Sequence, residues 1–537
     1  MTSSRPDGDR GTAGDGGAGP RHDAPVFDNP LAMFEWRVRH DPDAPFLVRV
    51  DGAAQSYAEL AGRAAALAAV LDGRGVRRGD VVGVYLGNDR AWVVAMLACW
   101  RLGATAACCA DMLPAAEAAG RFQLTGAKHV IAREWPDAGE RTIIVDAEGA
   151  VEGAPSPHLG DIPEPKAHLL TPGSPAVILF TSGSTGQAKP VWRPHSALAE
   201  GSRMTAGAYA KVAGFRPRTA PLTHPPAVNF SPFGHSAALG RVLFRIYVGR
   251  RLILIPKFTI DAVEQLARNY EVDTLQLAPA MIHDLAYTER DIRFRNLKYV
   301  NSGTAPLPIS TRDRFEARYG VPVLQAYGST EGAVMSLEHY DDVIAGRRGP
   351  GSVGRISSAT PHRIVDAQGK DVAPGEIGEL VGRMATAEGA EPNPGVDAEG
   401  WFHTGDLARI DEHGILYICG RIKEMMIVGG FNVYPGEVEE ALRTSPDIRD
   451  AVVVPMPESR LGEVPVAGVV WAEDLAGPAA EEAWRRVTGA VRGLLEPYKT
   501  PRRWFTLAAI PLNANGKVDR KEALALATEA LRDPVET

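Results

Sequence analysis

The stretch LFTSGSTGQAKPV, residues 179–191, offers hydroxyls at Thr181, Ser182, Ser184 and Thr185, backbone freedom at Gly183 and Gly186, and a cation at Lys189. A loop of this kind can turn its N–H groups inward around an anion, while the hydroxyls add donors and the lysine adds charge. Phosphate is the ligand such a loop could hold, and a solvated Gly/Ser loop is the alternative reading of the stretch taken alone. It is not a Walker A loop, because Gln187 and Ala188 separate Gly186 from Lys189 where that pattern needs them adjacent. Other segments carry residue types unusual for plain scaffold. NSGTAPLP (301–308) places Gly303, Thr304 and Ala305 where bare backbone could lie flat against a planar ring, and QAYGSTEG (325–332) sets an aromatic, a hydroxyl and a carboxylate in close succession. GWFHTGDLARID (400–411) presents Asp406 in a turn after an apolar strand, and PLNANGKVDRKEAL (511–524) puts Lys517 directly after an Asn-Gly turn.

The elements that must hold these residues follow from hydrophobic periodicity. Pro175 to Phe180 reads as a short buried strand feeding the first loop. From about residue 30 onward, helical patterns such as SYAELAGRAAALAAVLDGRGV alternate with β-rich runs such as VVGVYLG, AVILFT, RLILIP and NLKYVNSG. This alternation predicts an α/β fold of layers built on largely parallel sheets. Near residue 420 the character changes: GILYICGRIKEMMIVGGFNVYPGEVEEALRTSP reads as two strands around a glycine pair, then an amphipathic helix. DAVVVPMP, PVAGVVW, a helix near 480–495 and a terminal loop and helix complete a small α+β domain. The division expected is a disordered tail over residues 1–24, a large domain over 25–421 and a small one over 422–530.

Composition narrows the function classes. The 537 residues are 45% hydrophobic and 23% charged, as in globular proteins. A formal net charge of -8 supplies no basic field to recruit nucleic acid. Cys99, Cys108, Cys109 and Cys419 have no metal-ligand spacing, which argues for a reducing compartment and against structural zinc. The first residues lack an apolar signal core, and AWVVAMLACW (91–100), between Arg90 and Arg101, is too short to span a bilayer. A cytoplasmic protein is expected.

Together, TSGSTGQAKP, YGSTEG, HTGDL, GRIKE and NGKVDR resemble, in order and spacing, the motifs of the adenylate-forming superfamily: acyl-CoA synthetases, luciferases and peptide-synthetase adenylation domains. The resemblance covers roughly residues 30 to 527. It implies a large layered α/β domain with a small, mobile α+β C-terminal domain, and the substrates ATP and CoA with Mg²⁺. Ser182, Thr185 and Lys189 would meet the β- and γ-phosphates, with Thr181, Gly183, Ser184 and Gly186 completing the loop. Thr185 and Glu331 would lie near Mg²⁺, a hard cation that favours oxygen ligands. Tyr327 and Ile418 would pack on opposite sides of adenine, and Gly303, Thr304 and Ala305 would supply backbone edges. Thr330 would donate to the α-phosphate. Asp406 would accept from both ribose hydroxyls, helped by Arg421, and Lys517 would reach the α-phosphate and the acid's carboxylate.

By the same resemblance, Lys423 would be a hinge that withdraws Lys517 after acyl-AMP forms. The small domain would then present Gly429, Gly430 and Phe431 as the face along which CoA's thiol enters. GGFNVYPGEVEE closely resembles bacterial fatty-acyl-CoA ligases in this stretch. FSPFGHSAALG (230–240) lacks the carboxylate that pairs an α-amino group in amino-acid-activating relatives, and His235 stands where acyl-CoA ligases carry His or an aromatic. The residues implied for the acid pocket include Val228, Phe230, Ala238, Ala278, Ala280 and Val334, mostly small and apolar. They predict a medium or long aliphatic acid or a bulky polycyclic one. The alternatives are transfer of the acyl group to a carrier protein or partner enzyme, and a nucleotide-binding protein without catalysis.

Overall fold

The computed structural model describes residues 26–531 apart from 137–138, 166–169, 183–187, 211–224, 331–332, 350, 358–360, 385–386, 390–392, 394, 398 and 513–517. Residues 182, 207–210 and 333 are described by backbone alone. The expected tail therefore lies outside the described residues.

Described strands gather into four sheets. In the six-stranded sheet, Val81–Tyr85 lies between the parallel strands Thr105–Cys109 and His129–Ala132, and one edge is the antiparallel hairpin Pro175–Ser182 with Ala188–Pro194. Strand side chains alternate between two apolar clusters: Val82, Val84, Ala106 and Cys108 join one, and Val81, Ala107 and Cys109 the other. Both faces are thus buried, which is why these strands read as unbroken apolar runs. Helix Arg90–Arg101 is buried along its whole length, and the Trp100 indole N–H donates to the Ala176 carbonyl at 2.9 Å. Helix Tyr57–Gly73 begins with a reciprocal cap: Ser56 Oγ accepts from the Glu59 N–H, and the Glu59 carboxylate accepts from the Ser56 N–H.

The nine-stranded sheet departs from the expectation of largely parallel pairing. Thr274–Leu277, Tyr299–Ser302 and Val323–Ser329 run parallel, and every later pairing in it is antiparallel. Connection length explains the change. Helix Ile309–Tyr319 carries the chain back between two parallel strands, whereas residues 411–414 alone join Trp401–Ile410 to Ile415–Arg421 and permit only a reversal. A four-stranded sheet, Ala54–Ser56, Pro45–Arg49, Leu252–Leu254 and Ala227–Asn229, completes the large N-terminal domain.

The C-terminal domain is α+β, built on the long hairpin Ile448–Glu458 with Gly462–Trp471 and on helices Pro435–Arg443, Gly477–Val491 and Arg520–Ala530. Its apolar clusters start at Met426, and those of the N-terminal domain reach Ile418. The turn Ile422–Glu424 lies between them. Among the described residues no helix is long and apolar enough to cross a membrane.

Candidate active site

Three strands of the nine-stranded sheet bring Tyr327, Asp406 and Arg421 together. Asp406 and Arg421 are register partners on adjacent antiparallel strands. The Arg421 Nε–H donates to Asp406 Oδ1 at 2.7 Å, and the Tyr327 hydroxyl donates to Asp406 Oδ2 at 2.6 Å. Each carboxylate oxygen is held by one donor and keeps acceptor capacity for another. Burial, reinforced by the neighbouring Asp406 charge, pushes the Tyr327 phenol far above its ordinary range, so it remains a donor. Asp406 does not sit in the turn read from the sequence: it lies inside strand Trp401–Ile410. Gly405, at φ +71°, distorts that strand locally without ending it, so the turn-like HTGD signature belongs to an irregularity within the strand.

Ile418 packs in the same apolar cluster as Tyr327, beside Met335, Phe402 and Leu416. Gly303 to Ala305 follow strand Tyr299–Ser302, which pairs in parallel with the strand carrying Tyr327. A Cβ at Gly303 would stand 3.0 Å from the Ala326 carbonyl oxygen, so a side chain there would crowd that backbone. Thr304 is exposed at φ +75°, a conformation costly for a β-branched residue. The hairpin of the phosphate loop sets Thr181 opposite Lys189, which is exposed, and pairs Ser182 with Ala188. Gly183, Ser184, Thr185, Gly186, Glu331 and Lys517 lie outside the described residues. Among those described, no group of three or more His, Cys, Asp or Glu could hold a metal ion.

Thr330 closes the strand Val323–Ser329, and its carbonyl accepts from Arg193 Nη1 at 2.8 Å. His235 caps helix Ser236–Val248 as the residue before its first turn. The acid-pocket positions are distributed. Val228 and Phe230 pack in one buried cluster and Ala238 in another, Ala278 is half-buried before helix Pro279–Tyr287, and Ala280 and Val334 are exposed.

With this geometry in view, a family model described as AMP-binding enzyme matches residues 34–387, and one described as AMP-binding enzyme C-terminal domain matches residues 437–517. The chain belongs to the AMP-binding enzyme family. A feruloyl-CoA synthase of Amycolatopsis is 32% identical over 91% of this chain and 98% of its own length. The 4-coumarate–CoA ligase-like 9 protein of Arabidopsis thaliana is 32% identical over 66% of this chain, which spans only 62% of that longer relative. ATP-bound MatB from Rhodopseudomonas palustris is similar in structure, with TM-score 0.79 and 25% identity over 94% of this chain and 100% of that one. This AMP-binding enzyme is an AMP-forming acid–thiol ligase whose substrates are a carboxylic acid, ATP and CoA.

The enzyme's C-terminal domain carries the remaining predicted positions. Lys423 is exposed within the turn Ile422–Glu424. Gly429 and Gly430, at φ +58° and +89°, make the tight turn between strands Met426–Val428 and Phe431–Val433, a conformation that favours glycine. Phe431 is 57% exposed and stacks on Tyr498, with ring centroids 4.7 Å apart.

Arg193 and Tyr498 were not legible as site neighbours in the sequence. Arg193 sits in KPVWRPH, where strand alternation gives a direction for each side chain but no partner, and Tyr498 lies 67 positions beyond Phe431. Arg520, within NGKVDR, has partners that its sequence neighbours do not reveal. It is mostly buried, donating through Nε to Glu424 at 2.8 Å and through Nη1 to Glu439 and to the Val453 carbonyl.

Proposed function

We propose that this ligase activates an apolar carboxylic acid, with aromatic acids of the hydroxycinnamate type as the leading class. The observation that carries the nucleotide assignment is the convergence of Tyr327, Asp406 and Arg421, an aromatic ring and an oriented carboxylate suited to a nucleoside. Ile418 and the Gly303–Ala305 backbone are assigned to the base, and Thr181, Ser182, Gly183, Ser184, Thr185, Gly186 and Lys189 to the phosphates. Thr185 and Glu331 offer the hydroxyl and carboxylate oxygens that suit Mg²⁺, which when bound offsets triphosphate charge.

In the first half-reaction a carboxylate oxygen of the acid forms a bond to the α-phosphorus as the bond to pyrophosphate breaks. Lys517 and Thr330 are assigned to the charge that spreads over the phosphoryl oxygens, and His235 to the carboxylate's surroundings. No protein nucleophile is required, because positioning and charge neutralisation suffice. In the second, the CoA thiolate attacks the acyl carbon, the thioester C–S bond forms and the C–O bond to AMP breaks. Reorientation of the C-terminal domain about Lys423 is assigned to the interval between them, bringing Gly429, Gly430 and Phe431 to the thiol's path.

The apolar character rests on the pocket positions Val228, Phe230, Ala238, Ala278, Ala280 and Val334. The preference for aryl over aliphatic or polycyclic acids rests on two relatives named for feruloyl and coumaroyl substrates. The test is ATP- and Mg²⁺-dependent pyrophosphate release across ferulate, coumarate, fatty and polycyclic acids, with and without CoA, with products identified by mass. Ferulate or coumarate turning over fastest to an acyl-CoA supports the reading. A fatty or polycyclic acid turning over fastest overturns the aryl assignment, and acyl-AMP indifferent to CoA points instead to a carrier protein.

A further inference from the structure

Helix Ile309–Tyr319 of the N-terminal domain continues directly from the GTAPLP segment, and its N-cap is Pro308, which has no side-chain acceptor to give it. Its first N–H, that of Ile309, donates instead across the domain boundary, to Glu440 Oε2 at 3.2 Å. Glu440 belongs to helix Pro435–Arg443, whose other end follows the Gly429–Gly430 turn by a few residues. A carboxylate at a helix N-terminus meets both an unsatisfied donor and the positive end of the helix dipole.

The carboxylate is held in place from behind. Glu440 Oε1 accepts from Arg443 Nη1 at 2.9 Å, and Arg443 is 9% exposed. Arg443 is itself fixed by donation to Asp450 at 2.8 Å and to the Ala451 carbonyl at 2.7 Å, both on the hairpin that forms the domain's floor. Near the hinge, a Cβ on Gly420 would stand 3.3 Å from the Tyr434 ring, so the start of the same C-terminal helix also lies against the N-terminal domain.

We propose that Glu440 is a positioning residue for thioester formation: by capping the Ile309 helix it holds the C-terminal domain in the orientation that lays helix Pro435–Arg443, which follows the Gly429–Phe431 turn, against the N-terminal domain. This rests on the two-step reading above. Glu440 touches no substrate; it acts by fixing one domain orientation against the others, and every orientation that separates the two helices forfeits the contact.

The contact has two ends, and each can be removed by itself. Glu440→Ala removes the acceptor. Ile309→Pro removes the donor N–H at a first helical position, where proline's fixed φ is compatible with the helix and its missing N–H breaks no bond within it. The two half-reactions are measured separately on the full chain: pyrophosphate release with the best acid of the panel, and conversion of pre-formed acyl-adenylate with CoA. Each variant should slow the CoA step about tenfold, as expected for loss of about 1.4 kcal/mol of orientation preference, and leave pyrophosphate release within about twofold. The double variant should be no slower than the singles, because both cut one contact. Equal slowing of both steps, additive effects, or no effect on the CoA step would each overturn the proposal. Wild-type chain that forms acyl-adenylate but never a thioester would overturn the two-step reading itself. That result is visible before any variant is made, and it would remove the step the contact serves.

Discussion

At Asp406 two donors meet on one carboxylate, one on each oxygen, so the group is held in a single orientation beside a buried ring. Arg421 fixes Oδ1 at 2.7 Å and the Tyr327 hydroxyl fixes Oδ2 at 2.6 Å. Tyr327 therefore does more than offer a flat face. Tyr327→Phe keeps the ring and removes the donor, so the expected result is a KM for ATP raised about tenfold with a smaller change in kcat, since a hydrogen bond to a charged group contributes roughly 1.5 kcal/mol or more. Steady-state kinetics in ATP at saturating acid would check it. A kcat loss with unchanged KM would instead make the hydroxyl a participant in the chemical step. Local motifs made Tyr327 and Asp406 visible as candidates, because their neighbours have unusual turn and hydroxyl chemistry. Their mutual hydrogen bond was not visible, because 79 positions separate them and only the sheet's strand order makes them neighbours.

Elements transmit that order. Runs such as VVGVY read as strands because both faces of their sheet are covered, and SYAELAGRAAAL reads as a helix from its apolar periodicity, which the Ser56–Glu59 capping box anchors at its start. The antiparallel half of the nine-stranded sheet departs from the parallel expectation because strand composition does not encode direction; the length of each connection does. The C-terminal domain shows what an element owes to one side chain. Arg520 ties the first turn of helix Arg520–Ala530 to Glu439 on helix Pro435–Arg443 and to Glu424 in the turn Ile422–Glu424. Glu439 is deeply buried, and burial alone would raise its carboxyl; the Arg520 and Arg443 charges instead hold it below its ordinary value. Arg520→Ala would leave that carboxylate short of a partner, a change that costs about 3–5 kcal/mol when a buried pair is broken. Ser56→Ala, which removes one cap in the N-terminal domain, costs about 1 kcal/mol. Because the apolar clusters of the two domains share no members, calorimetry should resolve two transitions, with Arg520→Ala lowering one and Ser56→Ala the other. Both variants lowering a single common transition would mean the domains unfold as one unit.

For the whole molecule, stability against acid is set by buried groups whose proton binding changes on unfolding, and their signs differ. His195 begins helix His195–Ala210, is fully buried against the edge of Trp100, and among the described residues neither ring nitrogen has a hydrogen-bond partner. Burial lowers its pKa from 6.5 to about 4, so the folded chain keeps the imidazole neutral over a range where the unfolded chain protonates it. Its contribution is fully present above the unfolded value of 6.5 and is lost as pH falls toward about 4, amounting to about 3 kcal/mol across that window. Asp89 works the other way. Its carboxyl is raised by burial from 3.8 to about 6, with Arg133 opposing the shift, so its contribution is present below 3.8 and disappears as pH rises through about 6. Between pH 4 and 6 the two partly cancel, and the wild-type stability profile should be flatter there than either group alone would make it. Substitution separates them. His195→Phe removes the imidazole while keeping a ring beside Trp100, so the difference in unfolding free energy between variant and wild type should shift in the variant's favour as pH falls from 7 to 5. Asp89→Asn should shift the other way, losing ground to wild type over the same descent. Denaturant titrations at several pH values read both slopes, and a His195→Phe difference that stays constant with pH would show that the imidazole is already protonated in the folded chain or finds a partner there.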